Sequence, residues 1–141
     1  MQQNEYLFDA LIIGGGPAGL GAALALSRVC RTVALFDSHE YRNEQASSMH
    51  NVLCHDGEKP EDFRLAAMKQ MTDKYNTITS VDTEITGVKH VMDDRKHKHP
   101  YFQIENHKGL VWSGRKLILA SGVEDMLPDI EGYRKLWGRG M

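Results

Sequence analysis

Three glycines near the N-terminus have the spacing of a phosphate-binding turn. Gly14, Gly16 and Gly19 form the pattern G-x-G-x-x-G between an apolar run and an Ala- and Leu-rich segment. In this pattern the first glycine permits a tight turn, the second lets the backbone approach a pyrophosphate, and the third lets the helix pack on the strand. The N–H groups and the dipole at the helix start favour negative charge. The pattern predicts that the chain binds a dinucleotide.

An acidic residue lies where a ribose contact is expected. Asp37 follows the apolar run of residues 32–36, roughly 20 residues after Gly14. A carboxylate there accepts hydrogen bonds from ribose hydroxyls and repels a 2′-phosphate, so NADP is disfavoured at this site. The residues alone leave NAD and FAD open.

The hydrophobic pattern predicts the elements that position these groups. Residues 6–13 are nearly all apolar, as in a strand buried in a parallel sheet, and Pro17 suits the first turn of a helix that runs to Cys30. Residues 32–36 are β-branched and apolar and predict a second strand. Strand, helix and strand form a βαβ unit with a right-handed crossover.

The rest of the chain, from residue 37 onward, has a different pattern of polar and apolar residues. A polar stretch of residues 37–59 precedes a helix expected after Pro60, and a loop of this length is typically functional. Four short runs then predict a meander of antiparallel strands, at residues 78–86, 88–92, 101–105 and 110–112. Residues 116–122, KLILASG, again have the pattern of a buried strand. We expect an α/β, Rossmann-like FAD/NAD(P)-binding fold with a parallel sheet, a βαβ unit and a small antiparallel β-meander crossover.

Composition and charge exclude several classes of function. The 141 residues fit one domain, and 17 basic against 19 acidic residues give a net charge of -2, without the basic excess that nucleic acid or an anionic membrane attracts. No apolar run reaches the roughly 18 residues that span a bilayer. With no secretory signal pattern and only two cysteines, we expect a cytoplasmic protein with no nucleic-acid or membrane partner.

Four separated motifs resemble the FAD domain of the thioredoxin reductase-like family of class II pyridine nucleotide-disulfide oxidoreductases. They are DALIIGGGPAGLGAALAL, LFDSHEYRN, MHNVLCHDG and LILASGVEDMLPDIEGYRKLWGRG, and they are most similar to the fungal dithiol oxidase branch. The resemblance implies that FAD, not NAD, lies on the glycine turn. It also implies an activity in which hydride passes from NADPH to the flavin and electrons then pass to or from a dithiol or a small-molecule substrate.

The resemblance assigns roles to individual positions. The glycine turn would hold the pyrophosphate, Asp37 the adenosine ribose, and residues 38–42 the adenine end and phosphates, while His50 and Asn51 would lie towards the ribitol and flavin ring. The expected cofactor-binding residues are Gly14, Gly15, Gly16, Pro17, Ala18, Gly19, Asp37, Ser38, Tyr41, Arg42, Asn43, His50, Asn51, Ala120 and Gly122.

The family has parts that this sequence does not contain. In the family, WGRG leads into an NADPH-binding domain with a C-x-x-C pair, and a later segment completes the FAD site. We therefore expect residues 1–141 to be the N-terminal part of an FAD-binding domain, incomplete as an enzyme alone, with NADPH bound only if a second domain or chain supplies its site. Two alternatives stay open: a stand-alone flavoprotein, completed by a homo-oligomer or partner chain and acting on a small molecule, and a non-catalytic nucleotide-binding remnant.

The two cysteines do not form a C-x-x-C pair. Cys30 is expected to end the first helix as a small buried residue. Cys54 stands where related sequences commonly have glycine, and His50 and His55 beside it would favour a thiolate, so Cys54 is a candidate catalytic thiol; the alternative is a tolerated substitution. The spacing of these side chains and Asp56 matches no familiar zinc signature, so no metal site is expected.

Overall fold

A six-stranded sheet organises the chain, which a computed structural model describes over residues 6–92 and 99–137. The last residues of the WGRG motif therefore lie outside the described residues. The elements are β1 Leu7–Ile13, α1 Pro17–Arg28, β2 Val33–Asp37, α2 Pro60–Lys74, β3 Ile78–Asp82, β4 Ile85–Val91, β5 Tyr101–Asn106, β6 Val111–Leu119 and α3 Tyr133–Leu136. In the part of the chain that is described, no helix combines the length and the apolar character needed to cross a membrane.

The sheet has a parallel half and an antiparallel half, which confirms the predicted α/β fold. Its strand order is β3-β2-β1-β6-β5-β4. In this order, neighbouring strands among β3, β2, β1 and β6 pair in parallel, and β5 is antiparallel to both β6 and β4. The unit β1–α1–β2 is the predicted βαβ unit, with its two strands adjacent in the sheet.

Two details of the predicted meander are wrong. Residues 78–82 were expected in the antiparallel meander, but β3 pairs in parallel with β2, because the crossover through α2 returns the chain to the same edge of the sheet. Residues 110–112 and 116–122 were expected as separate strands, but one strand, β6, runs from the meander into the parallel half and ends at Leu119. The alternation of apolar residues reports exposure and does not report which strand is the partner.

Both faces of the parallel half are covered. On one face α1 and α2 pack through Leu20 and Met71 against Ile12 of β1. On the other face the meander contributes Ile104 and its neighbours, and the rings of Phe36 and Trp112 meet edge to face with centroids 5.0 Å apart. Because β1 and β2 are buried on both sides, they form the rigid base from which the loops at their carboxyl ends project.

Cys30 is exposed, which corrects the prediction that it is a buried residue. It follows α1 in the left-handed conformation, with φ of 58°. Its N–H donates to the Ser27 carbonyl at 3.0 Å, and the N–H of Arg31 donates to the Leu26 carbonyl at 3.1 Å. This is the hydrogen-bond pattern of a Schellman helix end, whose left-handed residue projects its side chain outward.

Asp9 and Thr32 connect β1 to the residue that precedes β2. The Thr32 N–H donates to Asp9 Oδ2 at 2.9 Å, the Thr32 hydroxyl donates to the same oxygen at 3.0 Å, and the Asp9 N–H donates to Thr32 Oγ1 at 3.0 Å. The backbone hydrogen bond from Thr32 is the main cause that holds the pKa of Asp9 below its usual value. The pair therefore stabilises the fold when Asp9 is ionised.

We predict that Asp9→Asn destabilises the protein in a pH-dependent way. The amide keeps the acceptor but loses the charge, so at pH 7 the free energy of unfolding should fall by about 1 kcal/mol. The pKa of Asp9 is lowered on folding, so the contribution is complete above the unfolded pKa of about 3.9 and disappears as pH falls through the lower folded pKa. Urea unfolding of both proteins between pH 7 and pH 3 measures the difference.

The matched control is Asp73→Asn, which removes a carboxylate from an exposed pair with Lys69 on α2. Its cost should stay near 0.3–0.5 kcal/mol at neutral pH. An Asp9→Asn cost that is equal at pH 7 and pH 3 would contradict the role of the charge.

Candidate functional site

The register of the parallel strands brings three predicted residues to one edge of the sheet. Ile13 of β1 pairs with Phe36 of β2 and with Leu119 of β6. Gly14, Asp37 and Ala120 therefore lie side by side just beyond these pairs. Two backbone hydrogen bonds of 2.8 Å extend the pairing past the strand ends, from Gly14 N–H to the Phe36 carbonyl and from Ala120 N–H to the Ile13 carbonyl.

Three glycines of the turn are required by close packing. Gly14 has φ of +114°, and a Cβ there would lie 2.2 Å from the Ala120 carbonyl oxygen. A Cβ on Gly15 would lie 2.0 Å from Oδ2 of Asp37, and a Cβ on Gly19 would lie 1.8 Å from the Gly14 carbonyl oxygen. Gly14 and Gly19 thus permit the tight turn and the close approach of α1, as the pattern predicts.

Gly16 differs from the other three because no protein atom requires it to be glycine. Its φ is -74°, and an added Cβ would find no atom within 4 Å. Gly16 is the N-cap of α1, Pro17 follows it, and the first turn of α1 carries no acidic residue. The first N–H groups of a helix have no acceptor within the helix, so α1 presents an uncompensated positive end here.

Asp37 is nearly buried, and its carboxylate is held by the loop that follows β2. The His39 N–H donates to Oδ1 at 2.9 Å, and the Tyr41 hydroxyl donates to Oδ2. The His39 ring lies between two acids, with Nδ1 3.7 Å from Asp37 Oδ2 and Nε2 3.1 Å from Asp82 Oδ1. The backbone of β2 also continues into this corner, since the Thr83 N–H donates to the Asp37 carbonyl at 2.8 Å.

Tyr41 is packed between Asp37 and α2. The guanidinium of Arg64 lies over its ring, with the Arg64 Cζ 3.6 Å from the ring centroid. Burial, the hydrogen bond to Asp37 and the charge of Asp37 together raise the pKa of Tyr41 to about 12. The hydroxyl therefore remains a hydrogen-bond donor throughout the neutral pH range.

Arg42 connects the loop after β2 to the segment after β6. Its Nε and Nη2 donate to the two carboxylate oxygens of Asp125 at 2.8 and 2.9 Å. The hydrogen bonds from Arg42 hold the pKa of Asp125 below its usual value, and Asp125 raises the pKa of Arg42. The resemblance places residues 38–42 at the adenine end and phosphates; in the structure the guanidinium of Arg42 pairs with Asp125.

A cleft of about 430 Å³ runs along this edge of the sheet. It brings together most of the predicted residues, namely Gly14, Gly15, Gly16, Pro17, Ala18, Asp37, Ser38, Tyr41, Arg42, Asn43, Ala120 and Gly122. Gly19 packs beneath the turn instead. The cleft is also lined by Thr83, Glu84 and Ile85, which were not predicted. Because β3 runs parallel to β2, its carboxyl end lies at this cleft. A prediction of that parallel direction would have indicated these three residues.

His50, Asn51 and Cys54 do not line this cleft. They belong to a loop closed by the hydrogen bonds from Met49 N–H to the Glu58 carbonyl at 2.7 Å and from Gly57 N–H to the Met49 carbonyl at 2.8 Å. Cys54 is exposed and has φ of 67°, a conformation that favours glycine. Within residues 6–92 and 99–137, no three His, Cys, Asp or Glu side chains are grouped so as to hold a metal ion.

Comparisons with known proteins identify relatives along nearly the whole chain. The family model described as pyridine nucleotide-disulphide oxidoreductase matches residues 8–141. The thioredoxin reductase aclD of Aspergillus oryzae is 46% identical over 136 residues, which are 96% of this chain and 41% of the relative. The thioredoxin reductase sirT of Leptosphaeria maculans is 43% identical over 134 residues, which are 94% of this chain and 39% of the relative.

A solved structure has the same fold. The crystal structure of HlmI superposes with a TM-score of 0.86 and 32% sequence identity, over 98% of this chain and 42% of that one. The chain thus spans about two fifths of the length of the relatives it matches. These findings confirm the resemblance drawn from the motifs: the chain belongs to the pyridine nucleotide-disulphide oxidoreductase family, as a thioredoxin reductase-like member.

Proposed function

We propose that residues 1–141 belong to the FAD-binding domain of a thioredoxin reductase-like oxidoreductase. The observation that carries the proposal is the open space at Gly16, beside the uncompensated N-terminus of α1 and on the wall of the cleft. Glycine is not needed there for packing or for φ, whereas a pyrophosphate against the helix start needs the absence of a Cβ. The residues present therefore fit FAD.

The chain's own residues bind and orient the cofactor. The turn of residues 14–18 would take the pyrophosphate on backbone N–H groups, and Asp37 would accept hydrogen bonds from the adenosine ribose. Ala120 and Gly122 would pass under the cofactor, and Gly122, with φ of +74°, adds no side chain there. When bound, FAD supplies the transfer of electrons between a nicotinamide and a thiol/disulfide or small-molecule substrate.

The activity of the whole protein is part of the proposal. We place its substrate among dithiols or small molecules, with NADPH bound by a second domain or chain and the flavin site completed by further protein, from a homo-oligomer or a partner chain. A cytoplasmic location fits two cysteines that are both free in the described residues.

Gly16→Ala tests the FAD site without disturbing the fold. We expect the purified wild-type chain to bind added FAD only in part, because further protein is proposed to complete the flavin site, so bound FAD is measured at equilibrium from the flavin band at about 450 nm. In Gly16→Ala the new methyl group occupies phosphate space, so the affinity for FAD should fall at least tenfold, which corresponds to about 1.4 kcal/mol. The N-cap change itself should cost no more than about 1 kcal/mol of stability.

Gly21→Ala is the matched control, because Gly21 lies in α1 and a Cβ there also meets no atom within 4 Å. It should leave FAD affinity unchanged and stabilise the helix by about 1 kcal/mol. Equal FAD affinity in Gly16→Ala and Gly21→Ala, or a wild-type chain that takes up no FAD, would contradict the proposed site.

We further propose that Cys54 is a redox-active thiol and that His50 and Asn51 lie on the flavin side of the site. In the assembly that contains the NADPH site, Cys54→Ser should slow thiol oxidation at least tenfold, because a hydroxyl cannot replace a thiolate. Cys30→Ser changes the other exposed cysteine and should leave the rate unchanged. Stopped-flow absorbance at the flavin band measures both, and equal rates in the two variants would show Cys54 to be a tolerated substitution.

A further inference from the structure

Arg64 contacts the loop after β2 at two points, although it lies on α2. Its Cζ is 3.6 Å from the centroid of the Tyr41 ring, and its Nη1 donates a hydrogen bond to Asn43 Oδ1 at 3.3 Å. Both partners lie in residues 38–59, which contain no helix or strand. A cation over an aromatic face contributes about 0.5–1 kcal/mol, and more where water is excluded. Arg64 therefore fixes a loop side chain from a rigid helix.

Tyr41 in turn fixes the carboxylate of Asp37. Its hydroxyl donates to Oδ2, while the backbone N–H of His39 donates to Oδ1 at 2.9 Å. An ionised carboxylate has about four lone-pair sites, so these two donors occupy one site on each oxygen. The plane of the carboxylate is thereby set. Oδ2 also faces His39 Nδ1 at 3.7 Å, and the other sites can accept from hydroxyl groups in the cleft that Asp37 and Tyr41 both line.

The glycine turn limits the carboxylate from the other side. A Cβ on Gly15 would lie 2.0 Å from Asp37 Oδ2, so the acid rests directly against the turn. A small rotation of the carboxylate would move its free lone pairs relative to a ribose whose phosphates are held by that turn. Orientation, and not only charge, then decides how well the ribose hydroxyls are bound.

We propose that Arg64 is a positioning residue for ribose recognition: it holds the Tyr41 ring so that the Tyr41 hydroxyl orients Asp37 towards a free 2′-hydroxyl. This inference rests on the proposed FAD site. The ligand feature it concerns is the 2′-hydroxyl of an adenosine diphosphate group.

Calorimetric titration of the whole chain with ADP and with 2′-deoxy-ADP tests the proposal. A hydrogen bond to a charged acceptor should make the wild type prefer ADP about tenfold. In Tyr41→Phe and in Arg64→Met the preference should fall below about threefold, because the carboxylate is no longer oriented. Lys69→Met is the control, since it removes a cation from an exposed position of the same helix, and it should keep the tenfold preference.

The ionisation of Tyr41 gives a second measurement that separates positioning from charge. Burial first, and then the hydrogen bond and the charge of Asp37, raise the pKa of Tyr41, whereas Arg64 lowers it. If Arg64→Met removed a charge only, the pKa of Tyr41 would rise further. If it releases the ring from Asp37 into water, burial and the contact with Asp37 are both lost, and the pKa falls towards its ordinary value of about 10. The ¹³Cζ resonance of labelled tyrosine at pH 11, assigned with Tyr41→Phe, reports which occurs, and we expect ionised Tyr41 in Arg64→Met.

The outcomes distinguish this inference from the proposed function. If the Arg64→Met variant keeps the preference for ADP, or if its Tyr41 stays protonated at pH 11, the role of Arg64 is overturned. The proposed FAD site still stands in that case, provided that the wild type binds FAD. A folded wild type that binds neither FAD nor ADP would overturn the proposed function and this inference with it.

Discussion

The parallel register of β1 between β2 and β6 decides what the carboxyl edge of the sheet presents. Ile13 pairs with Phe36 on one side and Leu119 on the other, so the glycine turn, the acid and the small residues after β6 meet at one level. β1 and β2 are buried between α1 and α2 on one face and the meander on the other. A slip of one residue would turn the buried side chains of β1 to the opposite face. Core packing therefore enforces the geometry of the site.

The tight fit at this edge explains the glycines in two different ways. The protein itself leaves no room for a side chain at Gly14, Gly15 and Gly19, because a Cβ added at each would lie 1.8–2.2 Å from a neighbouring atom. Gly16 is not, and its open space faces the cleft. The motif thus contains a structural part, which builds the turn, and Gly16, which no protein atom requires to be glycine and which we propose leaves room for a pyrophosphate.

Local patterns allowed the βαβ unit, α2 and most of the cleft to be predicted from the sequence. The glycine spacing and the acid after β2 could be used for prediction because both depend on residues close together along the chain. The direction of β3 was not predictable in this way, since its exposure pattern does not reveal that β2 is its partner. For the same reason Thr83 and its neighbours were missed as cleft residues. The exposure of Cys30 depends on the hydrogen-bond pattern at the end of α1. A glycine at this position would have indicated such a helix end, whereas a cysteine does not.

Side-chain contacts between residues far apart in the chain could not be predicted from the sequence either. Residues 38–42 were expected around the adenine end and phosphates, and no sequence pattern indicated that Arg42 pairs with Asp125, 83 residues later in the chain. No sequence pattern indicated a role for Arg64, because its contacts are with Tyr41 and Asn43 in an irregular loop. These contacts connect the edge of the sheet to α2 and to the segment after β6, so the loop side chains are placed by distant parts of the fold.

A backbone NMR titration of the chain with ADP and with adenosine tests whether the N-terminus of α1 receives a pyrophosphate. We expect the amide resonances of Gly15, Gly16 and Ala18 to shift with ADP and to shift far less with adenosine, because the helix start would bind the phosphates. Resonances of these three residues that stay unmoved by ADP, while others respond to it, would show that the phosphates do not bind at the start of α1.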